Sequence, residues 1–424
     1  MPYGIGGGGI AGLAFEVLPP PVQSAPSTST SGGTLPTAST YKYYVTAINA
    51  VGETTVSNEQ SIVTGAGSTN SNTINWAAVP NATGYKIYRT AAGGATGTEL
   101  LLTTVGAVVT YVDTGSITPS GALPATNTAF QAGTYTAPTK WVPFNSETLA
   151  FMQATRWRRP VRASVDVIGS SPGNSHIEGV MEIEVLEDVL IYFLYCARMS
   201  CVKSGAGPNY VYTYTPINDA IPGRTLSLTI QRVSGAVFGY VGVVVSSLKF
   251  SINEGELIVA IGLLGTDEAS QSIGSPTFPT TAPYGAGMYD IEIPTGTQVF
   301  DTDLFEFTID DAGKAEFRLK NTGRSAQFIA YGERTCTTHF ERDFMTRTDY
   351  DAFKSYTAAS LTLTISKGIN NSVSILIPNA MRDTYVTNIA SQGDLVRAVV
   401  DFQNQLSSSP ATYQIVVKTQ ENIA

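Results

Sequence analysis

Two short blocks of strand-forming residues occur twice in this chain, in the same order, and no other feature restricts its possible folds as strongly. LSLTI at Leu226–Ile230 recurs as LTLTI at Leu361–Ile365, and GELIVAI at Gly255–Ile261 recurs as GDLVRAV at Gly393–Val399. The spacing between the blocks is nearly the same in both copies, which argues for a duplicated unit rather than chance. Around the first copy lies the run LSLTIQ, GYVGVVVSSLKF and SINEGELIVAI, rich in Val, Ile, Leu, Tyr and Phe and bounded by Gly, Asn and Ser. That pattern predicts consecutive β-strands. The expected fold class is therefore mainly β, with one sheet unit written twice.

Composition agrees. Only 14% of the 424 residues are charged while 43% are hydrophobic, enough to build a core and too much for a disordered chain. The net charge of −9 offers no electrostatic reason to bind nucleic acid or an anionic membrane. Three cysteines, Cys196, Cys201 and Cys336, do not make a disulfide framework and point to a reducing site of synthesis. The opening MPYGIG lacks the pattern of a signal peptide, and no apolar run reaches the length of a membrane span. The expectation is a chain made in a cytoplasm, with no membrane partner.

Taken in order, residues 1–17 read as a glycine-rich arm, since GIGGGGIAG at Gly4–Gly12 lacks the flanking strand and helix of a dinucleotide-binding turn. Residues 18–126 read as a Pro/Ser-rich linker (Leu18–Gly33) followed by a small sandwich. Its strands are YKYYVTAIN, TINWAAV, GYKIYRT and VVTYVDTG, with Trp76 expected in the core. TYKYYVTAINAVGE with INWAAVPNATGYKIYRT resembles fibronectin type III and related immunoglobulin-like modules, with the strand order rotated. GTYTAPTKW resumes near the phrasing left off at GLAFE, so the sandwich reads as an insertion into an older domain.

Residues 127–264 form the expected first body unit. RPVRASVDVIG and HIEGVMEIEV are predicted to make a hairpin across SSPGNS, and Leu186–Ala197 a helix covering one sheet face. Residues 265–298 read as a connector. Residues 299–424 form the second unit, with a hairpin around Asp311–Gly313, a helix matching Thr348–Ala358 to Glu187–Ala197, and a last strand ATYQIVVKT free to pair with a neighbour.

GTYTAPTKWVPFNSETL, IEGVMEIEVLEDVLIYFL, RTLSLTIQR and GYVGVVVSSLKFSINEGELIVAIGLLGT, from Gly133 to Thr266, form an ordered set. That set resembles the tail tube (major tail) proteins of long, non-contractile-tailed bacteriophages. The resemblance implies two tandem β-sandwich or barrel units, each with a flanking helix. It also implies rings stacked around a channel through which DNA leaves the capsid, and a location in the virion tail. The implied partners are other copies of the chain, the tape measure, tail terminator and tail tip proteins, and DNA passing without sequence-specific contact. Immunoglobulin-like decorations are common in that group. If an ancestral ring held six single units, a duplicated chain is expected to close as a trimer. An acidic lining would let DNA slide where a basic one would hold it. Glu182, Glu184, Glu254 and Glu256 are the candidates for that lining.

Chemistry is not expected. His176 and His339 lie in no metal-binding spacing, the cysteines lack a second pair, GxSxG is absent, and Asp310–Asp311 reads as solvated turn acids. No catalytic, metal or cofactor residue is assigned. The cluster Arg156, Arg158, Arg159 and Arg162 around Trp157 fits paired contacts across a subunit interface better than nucleic-acid binding. The rival reading is a surface adhesin or carbohydrate-binding protein presenting Tyr41, Tyr43, Tyr85 and Tyr88 as an aromatic platform.

Overall fold

The computed structural model describes all residues except 1–8, 160–165, 168, 219–222, 254–255, 272, 286, 300–301, 319–322, 345–346, 389–395, 407–411 and 424. The chain is mainly β and divides into two compact units, one of residues 1–15 with 133–423 and one of residues 16–132.

The main unit opens with β1 (Ile10–Phe15), a continuous apolar run whose central residues are buried. The arm expected over residues 1–17 is thus a strand from Ile10 onward. Gly12 explains why a glycine is needed there, because a Cβ would lie 2.7 Å from Pro138 Cβ and 2.8 Å from the Trp141 ring.

The second unit holds β2 (Gln23–Ser29), β3 (Thr40–Ile48), β4 (Gln60–Val63), β5 (Ser71–Trp76), β6 (Gly84–Arg89), β7 (Leu100–Gly106) and β8 (Thr110–Asp113). They form a sheet β2-β5-β8 and a sheet β4-β3-β6-β7 around one core containing Tyr43, Val45, Ile74, Trp76, Tyr85 and Ile87. Two sheets over one core make the small sandwich expected from the strand spacing. The stretch read as a linker contributes β2. Pro26 is tolerated there because the pairing with β5 slips between Ser24 and Ser27, where no ladder hydrogen bond is lost.

The chain returns to the main unit with β9 (Lys140–Val142), β10 (Ser146–Glu147), β11 (Ala150–Arg158), β12 (Gly169–Glu184), α1 (Glu187–Tyr195), β13 (Met199–Ala206), β14 (Asn209–Pro216), β15 (Leu226–Val233), β16 (Ala236–Asn253), β17 (Glu256–Gly265) and β18 (Asp267–Ser270). It continues through β19 (Tyr289–Glu292), β20 (Thr302–Asp310), β21 (Lys314–Glu316), β22 (Phe328–Ala330), β23 (Thr335–Asp343), α2 (Thr348–Lys354), β24 (Ala359–Gly368), β25 (Asn371–Asn388), β26 (Arg397–Asn404) and β27 (Gln414–Thr419).

Several boundaries differ from the sequence reading. SSPGNS lies inside β12, opposite β11, with Pro172 beside a register slip; the hairpin reverses between Arg158 and Gly169. The predicted connector contributes β18 and β19, and β27 pairs within the chain, with β14 and β25. Around Asp311–Gly313 there is no hairpin: β20 pairs with β16 and β23, and β21 pairs with β22.

Two 18-residue strands organise the unit. The first half of β16 belongs to a sheet β9-β1-β15-β16-β18, and the first half of β25 lies between β24 and β27 in a sheet β13-β14-β27-β25-β24-β19. Their second halves enter a common sheet, β11-β12-β17-β16-β20-β23-β26-β25. One contiguous core spans both halves, so the two predicted body units share a single interior.

Helix α1 sits within it with Val189 to Leu194 all buried. After Glu187 and Asp188 in its first turn it is buried on every side, which suits a core helix rather than one covering a single face. Helix α2 has no buried residue and meets β25 through Tyr350 and Phe353, which pack on Tyr385.

Candidate functional site: sheet edges and an acidic face

Strand registers extend the repeat beyond the blocks visible in the sequence. The facing pair Leu228/Tyr240 recurs as Leu363/Ile375, Asn253/Glu256 as Asn388/Arg397, Glu182/Ala260 as His339/Asp401, and Ala150/Glu178 as Asp310/Thr335. Each repeat therefore supplies the same four positions to the common sheet: β10–β11, β12, β17 and β16 in the first, β20, β23, β26 and β25 in the second.

This corrects one sequence match. Pairing GELIVAI with GDLVRAV sets buried Val259 against exposed Arg397 and would turn the strand over. The structural partner of Val259 is Val400, because the second copy has the longer connection between its paired strands.

The two repeats meet where β16 pairs with β20. Ser247 faces Asp310, Lys249 faces Thr308 and Ser251 faces Glu306, with a 2.8 Å ion pair from Lys249 to Glu306 on one side. On the other side the Phe250 and Phe307 rings stack at 6.3 Å.

The same two positions recur at the ends of the common sheet. The second half of β25 pairs with β26 on one side, and β10 and the start of β11 pair with β12 on one side. Among the described residues no strand occupies the other side of either. Val386, Thr384 and Thr387 lie exposed along the β25 edge. An open edge carries unpaired N–H and C=O groups that a further strand can satisfy.

The common sheet has one face turned to the core and one to solvent. Ile183, Val259, Phe250, Phe307, Phe340 and Phe402 point inward. Alternation puts Glu178, Glu182, Glu184, Glu256, Glu306, Asp310, Glu341 and Asp401 on the outer face. Lys249 and Arg397 share that face, and each is already in an ion pair, with Glu306 and Asp303 respectively.

His339 takes the position of Glu182 in the second repeat. It contacts Asp401 at 2.6 Å and Glu341 at 3.4 Å, beside a cavity of about 400 Å³ lined by Glu306, Asp383 and Asp401. Partial burial pulls the His339 pKa down, but hydrogen bonds to Asp401 and Glu341 outweigh it, and the net shift is upward.

The sequence-predicted residues are distributed as follows. Glu182 and Glu184 are half-buried on the outer face, Glu182 accepting a 3.0 Å hydrogen bond from Ser146, and Glu256 is exposed there. Glu254 and Arg162 lie outside the described residues. Arg156 and Arg158 are exposed on β11, with Arg159 just beyond it.

Asp311, expected as a solvated turn acid, is buried at 3% exposure, held by Arg334 at 2.6 Å and Arg198 at 3.7 Å. Tyr41, Tyr43, Tyr85 and Tyr88 are all buried, so they form no exposed platform. Among the described residues no group of three or more His, Cys, Asp and Glu side chains could hold a metal ion. No helix there is long and apolar enough to cross a membrane.

Compared with known proteins, the chain matches no family model, and no curated protein matches it.

Proposed function

We propose that this chain is a structural subunit that closes into rings of three, each ring supplying six repeats, and that stacked rings form the tube of a long phage tail. The observation that carries this reading is the internal seam. The pairing of β16 with β20 joins two copies of one sheet, and the same two edges stand open at the ends of the common sheet among the described residues. Pairing β25 of one chain with β10–β11 of the next repeats the seam and removes both edges.

The solvent face of the common sheet then lines the channel. Its carboxylates weakly repel a phosphate backbone and leave DNA free to slide during ejection, where a Lys/Arg lining would bind by releasing counterions. In this reading the chain is not an enzyme. Its partners are copies of itself along with the tape measure, terminator and tip proteins, and the fibronectin-like unit decorates the tube. The adhesin alternative loses its support with the burial of the four tyrosines.

The internal seam supplies the test. Ser251 and Glu306, opposite one another within the chain, correspond to Val386 and Ser146 at the open edges. A chain carrying Val386→Cys and Ser146→Cys should cross-link between subunits on oxidation, giving a denaturing-gel ladder that stops at three chains. Electron micrographs should show rings or tubes with three-chain cross-sections. A monomer with no cross-link overturns the ring, and a ladder reaching six chains overturns the number.

A further inference from the structure

The hairpin of β11 with the first half of β12 runs beyond the common sheet, and every β11 residue from Phe151 to Arg158 is exposed. Trp157 is 61% exposed and Met152 46%. With β11 exposed along both of its faces and only Gly173 and Ser175 buried in the first half of β12, the ribbon gains little from packing, and Trp is a costly residue to leave in water.

The second repeat shows what such a ribbon does when it has a partner. Its counterpart is β21–β22, where AEFR at Ala315–Arg318 matches TRWR at Thr155–Arg158. There Ala315 and Phe317 pack against Val244, Leu264, Ile329 and Tyr331, and the Phe317 ring meets the His176 ring edge-on at 6.1 Å. Ser175 and Ala326 exchange further backbone contacts across the same junction, Ser175 donating to Arg324 and Ala326 to Ser175. The ribbon of the second repeat thus lies on the first repeat, beside the internal seam.

The registers locate the equivalent platform on the second repeat, where nothing in the chain covers it among the described residues. His176 corresponds to Glu333, and Leu264 and Gly265 correspond to Gln405 and Leu406. Glu333 and Gln405 are exposed, and Leu406 is 78% exposed. The substitutions are complementary. Where the internal junction sets Phe317 against His176, the open surfaces offer an indole, which has an N–H to donate, and a carboxylate, which only accepts. The exposed Leu406 supplies apolar contact for the same ring.

We infer that the Thr155–Trp157 ribbon of one chain docks on a second copy of the chain, with Trp157 seated against Glu333 and Leu406. The inference rests on the ring reading and identifies which surfaces flank each seam. Strand alternation turns Arg156 and Arg158 to the opposite face of the ribbon, away from this contact.

Tryptophan fluorescence of the full chain tests it. Trp76 and Trp141 are 4% and 6% exposed, so quenching by iodide reports chiefly on Trp157. Quenching should be strong in dilute monomer and lost in assembled rings. Trp157→Ala, at an exposed site, should fold normally yet raise the concentration needed for assembly by about tenfold or more. Trp157→Phe should recover part of that loss. Glu333→Lys should match the alanine defect.

Rings that cross-link at Val386 and Ser146 while Trp157 stays quenchable would overturn the docking and leave the ring intact. Absence of rings at any concentration would remove both.

Discussion

Asp311 keeps its carboxylate in the interior because two guanidinium groups from distant parts of the chain meet there. Burial pushes its pKa up, and Arg334 and Arg198 pull it back. Arg334 also donates to the carbonyls of Arg198 and Ile217, at 2.9 and 3.1 Å, so the acid anchors a knot between the two repeats. Asp311→Ala should cost about 3–5 kcal/mol, measured by urea unfolding, because it removes the carboxylate that two largely buried guanidinium groups share.

The sequence reading missed this knot because a DDAG stretch has turn composition, and nothing local marks the partners Arg198 and Arg334. His339 was equally hidden, since Asp401 reaches it only through the pairing of β23 with β26. Its pKa is higher in the fold than in the unfolded chain. Its ion pairing therefore contributes fully below about pH 6.5 and is lost as pH rises through the folded value. An NMR titration should place the His339 midpoint above about 6.5, the unperturbed value, and Asp401→Asn should lower it.

At the scale of elements, strands with apolar alternation or long apolar runs were legible, and so was α1 to within two residues at its C-terminal end. Misreadings arose where polar or turn-forming residues sit in strands held by neighbours. β2 is Ser/Thr-rich with a proline, and the SSPGNS segment of β12 is built from turn residues, yet each has a partner that satisfies its backbone. The acids of the outer face were partly legible through spacing alone: Glu182 and Glu184 share a face because they are two apart. The β25 edge was not, since openness is a property of what fails to pair with it.

β1 illustrates the reverse case, a glycine-rich stretch fixed by its surroundings. Gly12→Val should push β1 off Pro138 and Trp141 and cost roughly 1–3 kcal/mol, seen as a lowered melting temperature.

For the whole molecule, the repeated blocks fall on strands with matching registers, and the interrupted phrasing falls at the bounds of the separate compact unit of residues 16–132. What the blocks did not reveal is that the copies share one core and one sheet, because a junction between repeats leaves no motif. Leu13 faces Lys140 across the β1–β9 pair, so Phe15 and Gly133 lie near one end of a hairpin. Replacing residues 16–132 with a short turn should leave the main unit folded, with unchanged Val386–Ser146 cross-linking. Loss of that cross-linking would show that the unit of residues 16–132 takes part in ring closure.

The internal seam also bears on how fast and how completely such rings would form. A ring of three has six seams, and in half of them the two edges are carried on one polypeptide. Those edges meet at a local concentration fixed by the connecting segment, whatever the dilution outside. Only the remaining three depend on collision. Loss of one subunit would therefore break two seams and leave three, two of them within single chains and one between the remaining subunits, so rings would open in units of whole repeat pairs and never at a single repeat.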